Sequence, residues 1–482
     1  MTALTDRTRW LALYVLCLGD LMIVLDGTIV NVALPSIQDD LGFTQESLAW
    51  VVNAYLLTFG GFLLLGGRLG DLFGHRRLFL GGIALFTAAS LACGLATSQA
   101  MLVGARAVQG VGGAVVSAVA LSLLMMLFTE QADRAKAMGV FGFVLSGGGV
   151  LGVLAGGVLT DLLSWHWIFL VNLPVGIAVF VLSLRLLPAS GPVASGRVDL
   201  AGAIAITGSL MLAVYAIVNG NENGWSSVQT LGLLGVSAAL MAGFLALESR
   251  ISFPLVPLDV FRNRNVSVAN VAGVLMAAGM FAYFFLSALY LQLVLGYEPL
   301  EVGLAYLPGT ILWGASSLLL SDKLVMRFGV KTPLLAGLGL MALALVLLAR
   351  TPVDGSWAVD VLPATLAVGL GAGIAFNPLL LAAMSGVAPE RAGLASGVVN
   401  TAFMMGGAVG LAVLASLAAA RSDTLLANGD DSVTALNGGY HVAFLVGAAF
   451  VVAAAAVAAF LRVEAPEHAP EAEPALAGVE GD

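Results

Sequence analysis

Three ionisable side chains fall inside long apolar runs of this chain: Asp20, Asp26 and Arg106. Holding such a group in a bilayer costs about 3 kcal/mol or more, so each is a candidate for function. Asp20 follows Arg9 by 11 residues, about 16 Å along a helix, which puts it near the middle of a hydrocarbon core about 30 Å thick. Asp26 stands nine residues before Pro35, nearer the far side, and Arg106 lies a few residues into a run that starts from that far side. The two are therefore at compatible depths. Desolvation favours a neutral carboxyl and a nearby cation favours the anion. Where the two balance, a buried carboxyl binds and releases protons near neutral pH, and a cationic substrate can compete with that proton. At about 100° per residue, Cys17, Asp20, Gly27, Thr28 and Asn31 share a helix face, and Asp26 points away from most of them. Either the two carboxylates meet different neighbours or the helix is irregular near Gly27. The expectation adopted is that Asp20, Thr28 and Asn31 face a central cavity, while Asp26 meets another helix of the same block, the one carrying Arg106. A proton relay and a buried structural ion pair are both open readings of Asp26 with Arg106. Asp20 can be a coupling group or a neutral carboxyl bonded to a neighbouring helix.

The elements that must hold these groups follow from composition. Of 482 residues, 60% are hydrophobic and 10% charged, against about 25% charged in an average soluble domain. A soluble protein of this length needs a charged skin that the chain cannot supply. Low charge also excludes a disordered chain, and a net charge of -9 without a basic stripe argues against nucleic-acid binding. The reading is an all-α membrane protein. Fourteen apolar runs are expected to span, at 10–33, 48–67, 78–97, 101–127, 137–160, 165–187, 199–219, 228–247, 265–295, 301–320, 332–349, 358–381, 392–420 and 440–462. At about 20 residues per span, they leave no room for a folded soluble domain. The first run is taken as an uncleaved helix, because no small-residue cleavage site follows it.

Lys and Arg set the orientation. Seventeen fall on the side of the termini, from Arg7 to Arg462, and two, Arg350 and Arg421, on the other. Both termini are therefore expected in the cytoplasm of a plasma-membrane protein. Residues 1–9 form a cytoplasmic N-terminus and the Pro-, Glu- and Ala-rich segment 463–482 a disordered acidic tail. Between them, 10–187 and 265–462 each hold six runs, with two more at 199–247. The segment Asp71-Leu72-Phe73-Gly74-His75-Arg76-Arg77 is echoed by Met326-Arg327-Phe328-Gly329-Val330-Lys331, keeping the Gly and the trailing base. Parallel six-span halves are a transporter architecture with the binding site between them. Cys17 and Cys93 read as small packing residues, and the four histidines are too scattered for a metal site. No cofactor is expected. No phosphate-binding loop, zinc-protease motif or spaced Ser/His/Asp set is present, so neither an enzyme nor a primary pump is expected.

The segment Gly67-Arg68-Leu69-Gly70-Asp71-Leu72-Phe73-Gly74-His75-Arg76-Arg77 joins two spans with glycines that permit a tight turn. It resembles the signature loop of the major facilitator superfamily, which implies a gating role for Gly67, Asp71, Gly74, Arg76 and Arg77. Leu25-Asp26-Gly27-Thr28-Ile29-Val30-Asn31-Val32-Ala33-Leu34-Pro35 resembles the first-helix motif of that superfamily's fourteen-span drug:proton antiporter branch. Arg106-Ala107-Val108-Gln109-Gly110-Val111-Gly112-Gly113 resembles the fourth-helix motif, whose Arg the resemblance links to proton transfer. Trp165–Gly176 and Ala392–Thr401 also fit, so the likeness covers essentially all of 10–462. The fifth run carries glycines at Gly148, Gly152, Gly156 and Gly157, a spacing that lets helices pack closely and that resembles the antiporter motif. Val153 stands where the family usually has Pro, and Phe403-Met404 where the branch often has polar or basic residues. An acid found in the ninth or tenth span of dication exporters is absent, so the cavity, with Asn400, Phe403 and Met404 as further candidates, is expected to favour apolar, neutral or monocationic compounds.

The resemblance implies a proton-coupled exporter of amphipathic, drug-like or antibiotic-like small molecules working by alternating access. Its partners would be protons, the substrate and the bilayer, with a monomer sufficient. The alternatives are a symporter or facilitator importing a nutrient and, further off, a membrane sensor.

Overall fold

The computed structural model describes residues 6–128, 130–188, 199–251, 254–385 and 392–462. The tail at 463–482, residues 1–5, Arg197 and Arg391 lie outside the described residues. The long helices are α1 (Asp6–Leu41), α2 (Trp50–Phe73), α3 (His75–Gly94), α4 (Gln99–Leu127), α5 (Gln131–Leu162), α6 (Asn172–Leu186) and α7 (Leu200–Val218). They continue with α8 (Val228–Glu248), α9 (Arg264–Leu289), α10 (Pro299–Leu319), α11 (Lys331–Leu348), α12 (Leu362–Met384), α13 (Ala392–Ala427) and α14 (Ser432–Ala458). Among the described residues, thirteen helices are long and apolar enough to cross a membrane, and α5 shows a shorter apolar stretch at Leu151–Leu162.

Polar residues at the run edges start the helices. The Ser98 and Ser227 hydroxyls accept from the backbone N–H groups of Met101 and Thr230, and the Asp431 carboxylate from Thr434. Each cap satisfies a donor that the first turn leaves free. The hydrogen bonds from the Thr434 backbone and hydroxyl hold the Asp431 carboxyl below its ordinary range. Pro35 sits within α1 rather than ending it.

Helix pairing repeats. In the first block α1 packs on α5 and α6, α4 on α2 and α3, and α3 on α6; in the last block α9 packs on α13 and α14, α12 on α10 and α11, and α11 on α14. The blocks meet along two seams, α5 against α10 and α2 against α13. The intervening α7 and α8 pack on one another, with α7 seated on both α2 and α13. The echo read in the sequence has a geometric counterpart. Gly74 and Gly329 both adopt positive φ, 93° and 73°, where a side chain would be strained. Each glycine turns the chain sharply after the block's second helix.

Candidate functional site

α1 is a regular helix through Gly27, so Asp20 and Asp26 project from one rigid rod. Asp26 and Arg106 are both fully buried. Arg106 Nη1 lies 2.5 Å from Asp26 Oδ2 and also donates to Gln109 Oε1 at 2.7 Å, while its Nε donates to the Val51 carbonyl at 2.9 Å. Asp26 Oδ1 accepts from Gln109 Nε2 and Asn172 Nδ2, both at 2.8 Å. Gln109 Nε2 also reaches Ser90 Oγ at 2.8 Å. The guanidinium stacks over Tyr55 at 4.3 Å and Phe169 at 5.6 Å, a cation–π setting that favours the charge. Five long helices, α1 to α4 and α6, and the one-turn helix Trp167–Leu170 thus enclose one acid and one base, with donors for both carboxylate oxygens. Arg106 Nη2 has no hydrogen-bond partner among the described residues, but both carboxylate oxygens and the other guanidinium donors are bonded, which is what makes a buried ion pair tolerable, since an unpaired partner costs about 3–5 kcal/mol.

Asp20, 2% exposed, meets α4 further down. Its Oδ1 accepts from Ser117 Oγ at 2.7 Å, and its Oδ2 has no partner among the described residues. That oxygen is a place where a proton can sit without displacing a bond. Thr28 is turned onto α5: its Oγ1 donates to the Leu25 carbonyl at 3.1 Å and would stand 2.0 Å from a methyl on Gly152. Asn31, 7% exposed, donates back to the Thr28 carbonyl at 3.3 Å. Asn400 and Phe403 line a small cavity with Phe376, Leu379, Leu380 and Val399. Phe403 lies 6.0 Å from the Phe281 ring and 5.5 Å from Phe376. Met404 packs instead on α2, its Cβ 3.1 Å from where a methyl on Gly60 would be.

The segment read as a gating loop is mostly helix. α2 runs through Gly67 to Phe73, and only Gly74 breaks it before α3. The reason is packing on α4: a methyl on Gly66 would lie 3.0 Å from Val115 Cα, and one on Gly70 2.7 Å from Val119 Cγ1. Gly67, one of the residues expected in the gating loop, has only Ala118 Cβ at 4.0 Å. Asp71 pairs with the buried His75 at 3.2 Å. Arg76 donates to the Leu184 carbonyl near the end of α6, and Arg77 is exposed.

The α5 glycines divide between two partners. Methyls on Gly148, Gly152 and Gly156 would meet Leu21, Leu25 O and Ile29 O of α1, at 3.0, 2.8 and 2.6 Å. A methyl on Gly157 would meet Pro299 O of α10, in the other block, at 2.7 Å. At the same face Gln292, in a π-helical turn at Tyr290–Val294, donates to Val32 O at 3.0 Å, and Gln45 donates to Tyr440 Oη at 3.0 Å. These contacts join the blocks at the face opposite the termini.

The sequence reading assigned no role to Ser90, Gln109, Ser117 or Asn172. Spacing could have flagged Gln109, three residues from Arg106 and so on the same helix face. It also missed the counterpart glycines of α13. Methyls on Gly406 and Gly410 would meet Val274 Cα and Ala278 Cα of α9 at 2.7 and 2.5 Å.

Comparisons with known proteins bear on what this arrangement serves. The chain is 39% identical to the puromycin resistance protein of Streptomyces alboniger over 450 residues, 93% of this chain and 89% of that protein. It is also 39% identical over 411 residues to the cephamycin export protein of Amycolatopsis lactamdurans, 84% of each. Its fold matches the crystal structure of a bacterial homolog of the human lysosomal transporter Spinster, in an inward-facing and unoccupied conformation. The TM-score is 0.66 over 94% of this chain and 97% of that one, at 16% identity. Residues 16–411 match the profile of the Major Facilitator Superfamily, and the chain belongs to that superfamily of membrane transporters.

Proposed function

We propose that the protein is a proton-coupled antiporter that exports amphipathic, drug-like or antibiotic-like small molecules by alternating access. The observation that carries this reading is the fully buried Asp26–Arg106 pair, set with Gln109 and Asn172 in the interior of the first block. A sequence gains little from such a pair for stability alone, and a membrane carboxyl with a fixed cation is suited to exchanging a proton. Relatives that carry resistance to puromycin or export cephamycin, alike along most of the chain, supply the direction and substrate class.

In this reading the chain has fourteen spans, α5 completing the thirteen. Halves at 10–187 and 265–462 rock about a central cavity, and 199–247 adds two helices. Seventeen basic residues on one side against two on the other support cytoplasmic termini in the plasma membrane. Asp20 and Asp26 are the proton-binding groups, and Arg106 tunes Asp26. Protonation of Asp26 would neutralise the partner of Arg106 and free the guanidinium to re-pair. Such an event among the packed helices of one half can bias two arrangements of the halves. Asp71, with Gly74, Arg76 and Arg77, gates the terminal side. Phe403, with Phe281 and Phe376, offers an apolar wall for a neutral or monocationic substrate, and Asn400 adds a polar amide beside it.

The deciding experiment uses proteoliposomes with an imposed pH gradient, offering puromycin, a cephamycin and ethidium while reading substrate and proton flux together. Opposed fluxes that collapse with the gradient are expected. Substrate movement indifferent to the gradient, or fluxes in the same direction, would overturn antiport.

A further inference from the structure

α7 and α8 cover the seam where α2 meets α13, and they touch both sides of it at three depths. Midway, a methyl on Gly61 would stand 1.9 Å from Thr207 Oγ1 of α7 and 3.3 Å from Met405 Cε of α13. At the face opposite the termini, Asn221 Nδ2, in the turn between α7 and α8, donates to Ser416 O of α13 at 2.8 Å and reaches Glu46 Oε1 at 3.4 Å. Glu46 belongs to the short helix Gln45–Leu48 that leads into α2. At the terminal face the chain leaving α8 folds back into the same seam. Leu255 and Val256 are 9% and 8% exposed. They pack with Leu65 of α2, Ala203 of α7, Phe244 of α8 and Val398 of α13 in a hydrophobic cluster separate from the main core. One short segment thus bears on both blocks at once.

Two buried carboxyls hold it there. Glu248, 3% exposed, accepts from the backbone N–H groups of Leu255 at 3.3 Å and Val256 at 3.1 Å. Asp199, 5% exposed, caps α7 by accepting from Gly202 N–H at 2.8 Å. The two carboxyl groups lie side by side next to Gly202. Gly202 leaves the room: a methyl there would stand 2.2 Å from Asp199 Oδ2 and 2.9 Å from Glu248 Oε1. Proton coupling at the Asp26 network makes no use of this pair.

We infer that Asp199 and Glu248 are positioning residues for the transport cycle, pinning Leu255 and Val256 as a strap across the α2–α13 seam and setting the energy of parting the blocks at the terminal face. The inference rests on the alternating-access reading, because only a cycle that opens this face has to work against the strap. Releasing the segment removes contacts that bridge the blocks while leaving the interior of each block intact. The terminal face then opens more readily, and the cycle slows on the step that must close it.

Two measurements test this on the full-length protein. Spin labels at Phe73→Cys, at the end of α2, and Met326→Cys, in the helix Ser321–Phe328 of the last block, report the opening; both sites are exposed, and native Cys17 and Cys93 are buried. Glu248→Ala should shift the distance distribution to longer values. It should lower the maximal rate of pH-driven ethidium transport at least about threefold, with little change in KM. Glu248→Gln keeps one acceptor oxygen for the backbone N–H groups and can donate from its amide to Asp199, so it should shift the distances less than Glu248→Ala. Should Glu248→Ala fail to fold, Val256→Ala removes only the plug and should shift the distances in the same direction. Unchanged distances in Glu248→Ala, or in Val256→Ala where it takes the other's place, would overturn the strap, as would a rise in KM with an unchanged maximal rate. Absence of ethidium transport by the native protein would instead count against the proposed function, and the distances would still decide the strap.

Discussion

Asp26 and Arg106 are the closest thing in this protein to a switch, and they separate a relay from a brace. Asp26→Asn should abolish pH-driven export. It also leaves Arg106 buried without its anion, at a cost of about 3–5 kcal/mol, seen as a lower melting temperature of the detergent-solubilised protein. Asp26→Asn combined with Arg106→Gln removes both charges together and should recover most of that stability without recovering export. Export restored in the double variant would make the pair a structural brace. The two charges were legible because an ionisable residue in an apolar run is costly and stands out. Ser90, Gln109 and Asn172 were not, since neutral polar side chains are cheap enough to pass unnoticed and only the fold shows that they converge on one carboxylate.

Helices in this bundle approach through glycine, and the approach is position-specific. Gly152→Ala should cost about 1–3 kcal/mol, the scale of overpacking in a filled interior, and depress transport, because a methyl there meets Leu25 O at 2.8 Å and Thr28 Oγ1 at 2.0 Å. Gly149→Ala has nothing within 4 Å and should leave melting temperature and transport unchanged. Equal effects of the two would refute the packing account. The glycine spacing was visible in the sequence, whereas the partners were not: three of the four expected positions face α1 and the fourth faces the other block. The Asp71 segment shows the same limit. A glycine-rich charged stretch reads as a loop, yet Gly66 and Gly70 are spent on contact with α4, and the helix continues to Phe73. Asp71→Asn loses the pairing with His75 and should lower the maximal transport rate about tenfold, or about 1.4 kcal/mol in barrier, with KM little changed. A pure rise in KM would remove Asp71 from the conformational cycle.

For the whole molecule, the asymmetry of basic residues gives a direct test of orientation. A membrane-impermeant thiol reagent should reach Val228→Cys, 91% exposed at the start of α8, from outside intact cells. It should reach Phe73→Cys, at the terminal end of α2, only after permeabilisation. The reverse pattern would invert the proposed topology. Helix pairing repeats in the two blocks, and Gly157 against Pro299 and Gln292 against Val32 join them at the face opposite the termini. In the proposed cycle these contacts would serve as the pivot, and the α2–α13 seam with its strap is what would part at the terminal face.

Sequence alone determined that this chain lives in a membrane, where its apolar runs lie, and which charges are anomalous there. These are one-dimensional consequences of transfer energies, and they need no partner. Only the tertiary structure decided the further partners: Gln109 and Asn172 on Asp26 beside the expected Arg106, Ser117 on Asp20, and α5 against Thr28. It also turned Asp199 and Glu248, which the sequence places at the edges of runs, into a buried clasp across the two blocks. The bonds to Asp26 and Asp20 and the apolar contacts of Leu255 and Val256 join residues tens to hundreds of positions apart, and their energy depends on distance and desolvation, which a linear pattern does not carry.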